Sequence, residues 1–99
     1  MNVQKMMKDL QKMQEKLQAE MDALEVESSA GGGVVTARMN GKKELIALIL
    51  ARESITPDDP ELLQDLILAA VNEAGRKVDV ELKRLTHGMA GGLRIPGLS

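Results

Sequence analysis

Residues 24–51 read LEVESSAGGGVVTARMNGKKELIALILA, three strand-like segments divided by two turn signals. Leu24 to Ser28 alternates apolar and polar with period two, the pattern of a short half-buried strand. Gly31, Gly32 and Gly33 end it, because residues without a Cβ permit a turn or bulge at positive φ. Val34 to Met39 is β-branched and apolar, and Asn40-Gly41 after it is a strong short-range hairpin signal. The return segment, Lys42 to about Ala51, starts charged and is then continuously apolar from Leu45 to Leu50. A strand of that composition asks for cover on both faces, one by helices and the other by a partner or a further helix. The predicted unit is a three-stranded antiparallel meander.

A long helix is expected on each side of it. Residues 2–26 hold no Gly or Pro and are rich in Gln, Lys, Glu, Met, Leu and Ala, all good helix formers. Val3, Met6, Leu10, Met13, Leu17 and Leu24 lie on one a/d seam, with Met21 beside it. Lys5, Lys8, Lys12 and Lys16 make a second stripe, centred about 135° round the helix from the seam. Downstream, Thr56 to Glu61 is a turn and a helix start: Asp59 can cap, Pro60 suits the first helical position, and Glu61 suits the positive end of the dipole. From Leu62 and Leu63 through Leu66, Ile67, Ala70, Val71, Ala74, Val78, Leu82, Leu85 and Met89 the apolar residues keep a helical rhythm. The helix is expected to reach about Thr86, with His87-Gly88 as its cap region. Gly75 inside it marks a bend or a close contact. Arg76, Lys77, Lys83 and Arg84 fall within about 60° of one direction. Residues 88–99 read as a loose Gly/Pro tail containing Arg94.

Composition narrows the functional classes. With 99 residues and 43% hydrophobic content the chain reads as one domain, residues 1–99. There is no Trp, Tyr or Phe, so the stacking platforms of single-strand and RRM-type readers are missing. No Cys and one His, His87, leave no disulfide framework, no thiolate nucleophile and no multi-His or Cys-based metal site. Ser28, Ser29 and Ser54 have no base partner beyond that His. Gly31-Gly32-Gly33 lacks the Lys-Ser/Thr of a phosphate loop, and Asp58, Asp59 and Glu61 do not follow calcium-loop spacing. The chain is therefore read as a non-enzyme without cofactor, metal or small-molecule substrate.

The formal net charge is −2, which speaks against a uniformly basic nucleic-acid binder. Its distribution is uneven, however. The opening helix carries four Lys against Asp9 and Glu15, the middle is acidic, and Arg76, Lys77, Lys83, Arg84 and Arg94 make the end basic again. No apolar run reaches the roughly 18 residues of a membrane span, and the first residues lack the apolar core of a signal peptide, so a cytoplasmic location is expected.

Helices of about 25 residues span nearly 40 Å, whereas a compact chain of this length has a radius of gyration near 13 Å. Helices that overhang the sheet with an apolar seam need a partner. A homodimer with helical arms is expected, its seam formed by Met6, Leu10, Met13, Leu17, Leu48 and Leu50.

These residues resemble the YbaB/EbfC nucleoid-associated proteins. The likeness lies in the Met/Gln/Lys-rich opening helix (Met6 to Leu24), VESSAGGGVVTARMNGKKEL (Val26 to Leu45), PELLQDLILAAVNEA (Pro60 to Ala74) and GMAGGLRIPG (Gly88 to Gly97). Its most specific part is the Gly triplet with Asn-Gly a few residues on. The resemblance implies an α+β fold of order α-β-β-β-α, a dimer with tweezer-like helices, binding to double-stranded DNA in the bacterial nucleoid, and an influence on nucleoid organisation and gene expression without catalysis.

Each candidate also has a plainer explanation. Lys5, Lys8, Lys12 and Lys16 can be a solvated helix face, or can follow phosphates along a groove edge and release counterions. Gln4, Gln11, Gln14 and Gln18 can meet adenine edges, or simply cover helix surface. Arg76, Lys77, Lys83 and Arg84 suit a helix C-terminus, and Arg94 can enter a minor groove as flexible arms do. Met6, Met13 and Met21 are adaptable packing, which leaves a rival reading: a protein-interaction adaptor gripping another protein through Met/Leu-rich arms.

Overall fold

A computed structural model describes residues 2–90. Its elements are α1 (Val3–Asp22), β1 (Glu25–Ala30), β2 (Val35–Asn40), β3 (Leu45–Leu50), one 3-10 turn (Arg52–Ser54) and α2 (Pro60–Ala90). The strands form one sheet in the order β1-β2-β3 with both pairings antiparallel, the expected α-β-β-β-α meander.

The alternation in β2 sets the core. Val35, Ala37 and Met39 point to one face and are buried. Their partners in β1 are Ala30, Ser28 and Val26 on the same face. Across this face lies α2, whose Ala70, Ala74 and Val78 repeat every four residues and are completely enclosed. Two alanines in that row let the helix axis come close to the sheet. Leu63, Leu66, Ile67, Val71 and Leu82 flank the contact. The other face of β1 and β2 is polar: Arg38 pairs with Glu25 at 2.5 Å, and the Ser29 and Thr36 hydroxyls hydrogen-bond at 3.0 Å.

Both hairpins use their glycines, in different ways. Gly31, Gly32 and Gly33 all have positive φ (67°, 68° and 99°), the conformation expected of the triplet. At the second turn the positive φ falls on Lys43 (62°) instead of Asn40 or Gly41. Asn40 organises this turn: its Oδ1 accepts from the N–H groups of Lys42 and Glu44, and its carbonyl accepts from Lys43. The connection is a turn closed by a left-handed residue, not a two-residue loop. Gly41 has another function. A Cβ there would run into the main-chain carbonyl of Met21, so the end of α1 rests directly on the hairpin.

Some boundaries differ from expectation. The first helix stops at Asp22, β1 continues to Ala30, and β3 begins at Leu45, after the charged residues have been used in the turn. Asp59 caps α2, with its Oδ1 accepting from the Leu62 N–H at 3.1 Å. The helix passes through His87-Gly88 to Ala90, since a Gly costs only about 1 kcal/mol within a helix and need not end it. Gly75 does not break α2. It is buried beneath the Lys43 side chain, whose Nζ reaches Asp79 at 3.1 Å.

Two surfaces remain apolar and uncovered. α2 lies over β1 and β2 but leaves β3 bare, because a helix about 10 Å wide covers only two strands spaced about 4.8 Å apart. Leu45, Ile46, Leu48 and Ile49 are all exposed, Ile49 to 53%. Nor does α1 have a buried residue anywhere along its length. The radius of gyration is 19.3 Å and the extents are 70 × 25 × 16 Å, well beyond the roughly 13 Å of a compact chain this size.

Candidate nucleic-acid interface

α1 starts at Asn2, whose side chain accepts from the Lys5 N–H, and ends where the Ala23 N–H donates to the Ala19 carbonyl and the Leu24 N–H to the Met21 carbonyl. Between these caps Lys5, Lys8, Lys12 and Lys16 occupy consecutive turns and are all exposed. None of the four forms an ion pair among the described residues. The neighbouring acids Asp9 and Glu15 likewise stay out of ion pairs there, so the ammonium row is open to an external anion.

The basic residues of α2 are placed differently. Arg76 pairs with Glu73 at 2.8 Å, and the Arg84 guanidinium meets Glu81 through Nε at 3.0 Å and a terminal nitrogen at 2.7 Å. The hydrogen bond and charge of Glu81, helped by Glu20, raise the Arg84 pKa further above its ordinary value. Lys77 Nζ donates to the Glu27 carbonyl at 2.8 Å, tying the helix to the main chain of β1. Only Lys83 of this cluster lacks such a partner among the described residues. Arg94 lies outside the described residues.

The C-terminal end of α1 and α2 share a cleft lined by Glu20, Ala23, Leu24, Glu25, Arg84 and Leu85. The helical periodicity located Arg76, Lys77 and Arg84 on one side of α2, but not the acids three residues before Arg76 and Arg84. Those i, i+3 spacings, Glu73/Arg76 and Glu81/Arg84, were readable signals of local pairing. The Lys77 bond to a strand carbonyl had no sequence signal.

The seam residues are open as well. Met6, Leu10 and Met13 are 51%, 50% and 42% exposed, and Leu17 is half-buried. Of the β3 pair, Leu48 is exposed and Leu50 packs partly against the core. Gln18 is engaged by Asp22 at 2.9 Å. No group of three or more His, Cys, Asp or Glu among the described residues is placed to hold a metal, and no described helix is long and apolar enough to cross a membrane.

The chain is a small α+β unit with a lysine-bearing helical arm. The chain belongs to the YbaB/EbfC DNA-binding family, whose profile matches residues 1–93. It is 48% identical over 100 residues to a nucleoid-associated protein of Alkaliphilus metalliredigens, covering 98% of this chain and 88% of that one. A nucleoid-associated protein of Pelotomaculum thermopropionicum is 45% identical, with coverage of 98% and 95%. The fold matches the crystal structure of an uncharacterized Helicobacter pylori protein with a TM-score of 0.65 and 25% identity, over 85% of this chain and 98% of that one.

Proposed function

We propose that this protein is a non-enzymatic, nucleoid-associated homodimer that binds duplex DNA through phosphate contacts from α1 and thereby affects nucleoid organisation and gene expression. The observation that carries the reading is the row Lys5, Lys8, Lys12 and Lys16, exposed and free of ion pairs among the described residues on an arm with no buried residue. Lys83 and Arg94 are the secondary candidates. Arg76, Lys77 and Arg84 contribute less, because each would first have to leave an intramolecular partner. The names of the relatives support the nucleoid as the place of action.

The two edges of the sheet support β3 as the centre of the dimer. β1 carries Glu25 and Glu27, and Lys77 occupies one of its carbonyls, which discourages pairing at that edge. β3 is uncharged from Leu45 to Leu50 and unguarded, so a second β3 can pair with it and bury Leu48 and Ile49. Leu50 and the α1 seam complete the expected interface.

The test is fluorescence anisotropy of labelled duplex titrated at several salt concentrations. Eight lysines per dimer predict a log–log slope of up to about −7, from about −0.9 per neutralised phosphate. Changing Lys5, Lys8, Lys12 and Lys16 to Gln should flatten that slope and abolish retention without dissolving the dimer. Unchanged retention would refute the assignment. The exposed Met/Leu seam favours a second reading, an adaptor for another protein, and an absence of DNA binding even at low salt would select it.

A further inference from the structure

The sheet ends in β1 on the side away from β3, and the main-chain directions show what this edge offers. The Asn40 N–H donates to the Glu44 carbonyl and the Val34 carbonyl accepts from the Ala51 N–H, so the even-numbered residues along β2 turn their peptide groups towards β3. Those groups alternate in direction along a strand. Val35, Ala37 and Met39 therefore turn theirs towards β1, where they face Ala30, Ser28 and Val26. The peptide groups of Glu25, Glu27 and Ser29 are left pointing out of the sheet. A second β1 could pair antiparallel with them, provided that core-facing residues stay on one side. Two registers then give the longest overlap. One sets Glu27 opposite Glu27, which opposes like charges. The other sets Glu27 opposite Ser29 and Val26 opposite Ala30, and no side-chain charge forbids it.

We infer that β1 is a second pairing surface for another copy of this chain, and that Lys77 holds it shut. Both registers need the Glu27 carbonyl as an acceptor, and Lys77 Nζ already donates to it at 2.8 Å. An incoming strand would have to displace that ammonium, and by symmetry it would have to do so twice. Without the lysine the edge is inviting. Val26 and Val80 line an open groove beside it together with Lys77, and Val80 is 63% exposed, so the core-facing residues of an added strand would find apolar cover. The consequence concerns closure. Two-fold pairing at β3 alone ends at two chains, whereas two-fold pairing at both edges extends the sheet without limit. The inference rests on the β3 pairing proposed above for the size at which assembly stops, and it is independent of DNA.

Sedimentation velocity of the full chain over a range of concentrations tests it. Lys77→Met keeps the apolar stem and removes the donor, and the residue is exposed, so the core under Ala74 and Val78 is left intact. The wild type should stop at two chains. Lys77→Met should grow beyond that size as concentration rises, its mean mass reaching at least about twice the wild-type value. Lys77→Ala should act in the same direction. Adding Ile49→Lys places a charge on β3 and should cut the Lys77→Met assemblies back to pairs joined through β1. A folded Lys77→Met, with an unchanged far-ultraviolet circular dichroism spectrum, that keeps the wild-type size overturns the inference. Growth that survives Ile49→Lys also overturns it, because such growth does not alternate between the two edges. A wild type that remains a single chain refutes the β3 pairing alone; Lys77→Met should then form pairs and nothing larger, and its failure to do so would overturn the inference as well.

Discussion

Replacing Gly41 by Ala sets two effects of opposite sign against each other. Gly41 lacks a positive φ, so Ala fits its backbone conformation, and the lower entropy of the unfolded chain would by itself stabilise the protein by about 0.4–1 kcal/mol. The new methyl, however, would meet the carbonyl oxygen of Met21 and lie 3.4 Å from Leu24 Cβ. The first obstacle is main chain at the end of α1, which cannot swing aside as a flexible side chain can. Overpacking of this kind costs about 1–3 kcal/mol, so the net expectation is a loss of about 1–2 kcal/mol. At about 4–8 °C per kcal/mol this lowers Tm by roughly 4–16 °C. The assay is thermal unfolding by far-ultraviolet circular dichroism at matched protein concentration, since there is no Trp or Tyr to follow. Gly32→Asn is the control: it has open space around it and a positive φ that Asn tolerates, and it should leave Tm nearly unchanged. An unchanged or raised Tm for Gly41→Ala would refute the account of how α1 is seated.

Val78 is fully enclosed between α2 and the sheet, so Val78→Ala should lower unfolding free energy by about 1.5–3 kcal/mol in a denaturant titration. For DNA binding, Arg84→Gln should change the salt slope by less than half as much as Lys12→Gln. Glu81 already holds the guanidinium of Arg84, whereas Lys12 has no ion-pair partner among the described residues. Anisotropy at four or more salt concentrations distinguishes the two, and equal effects would place α2 on the duplex beside α1.

Periodicity made the fold legible. The period of two in Leu24, Val26 and Ser28, the Gly triplet, and the return to a helical repeat after Pro60 are local signals, and each acted where it stood. What escaped was tertiary. The burial of Gly75 depends on Lys43, a residue 32 positions earlier that crosses the helix to Asp79. The contact at Gly41 depends on where α1 ends, and the bare faces of β3 depend on which two strands the helix covers. For the candidate interface, the lysine row was legible because a helix repeats its faces. The engagement of Lys77 was not, because its partner is a main-chain carbonyl fifty positions earlier.

The unguarded edge of β3 has a kinetic consequence. Under the proposed dimer, a lone protomer with Ile46, Leu48 and Ile49 facing water stays adhesive until a second copy covers this edge. That protection is a second-order process, with a rate that rises with the square of the free protomer concentration, whereas folding is first order. Scarce chains consequently spend longest in the exposed form, and dilution leaves this protein more vulnerable to the wrong neighbour.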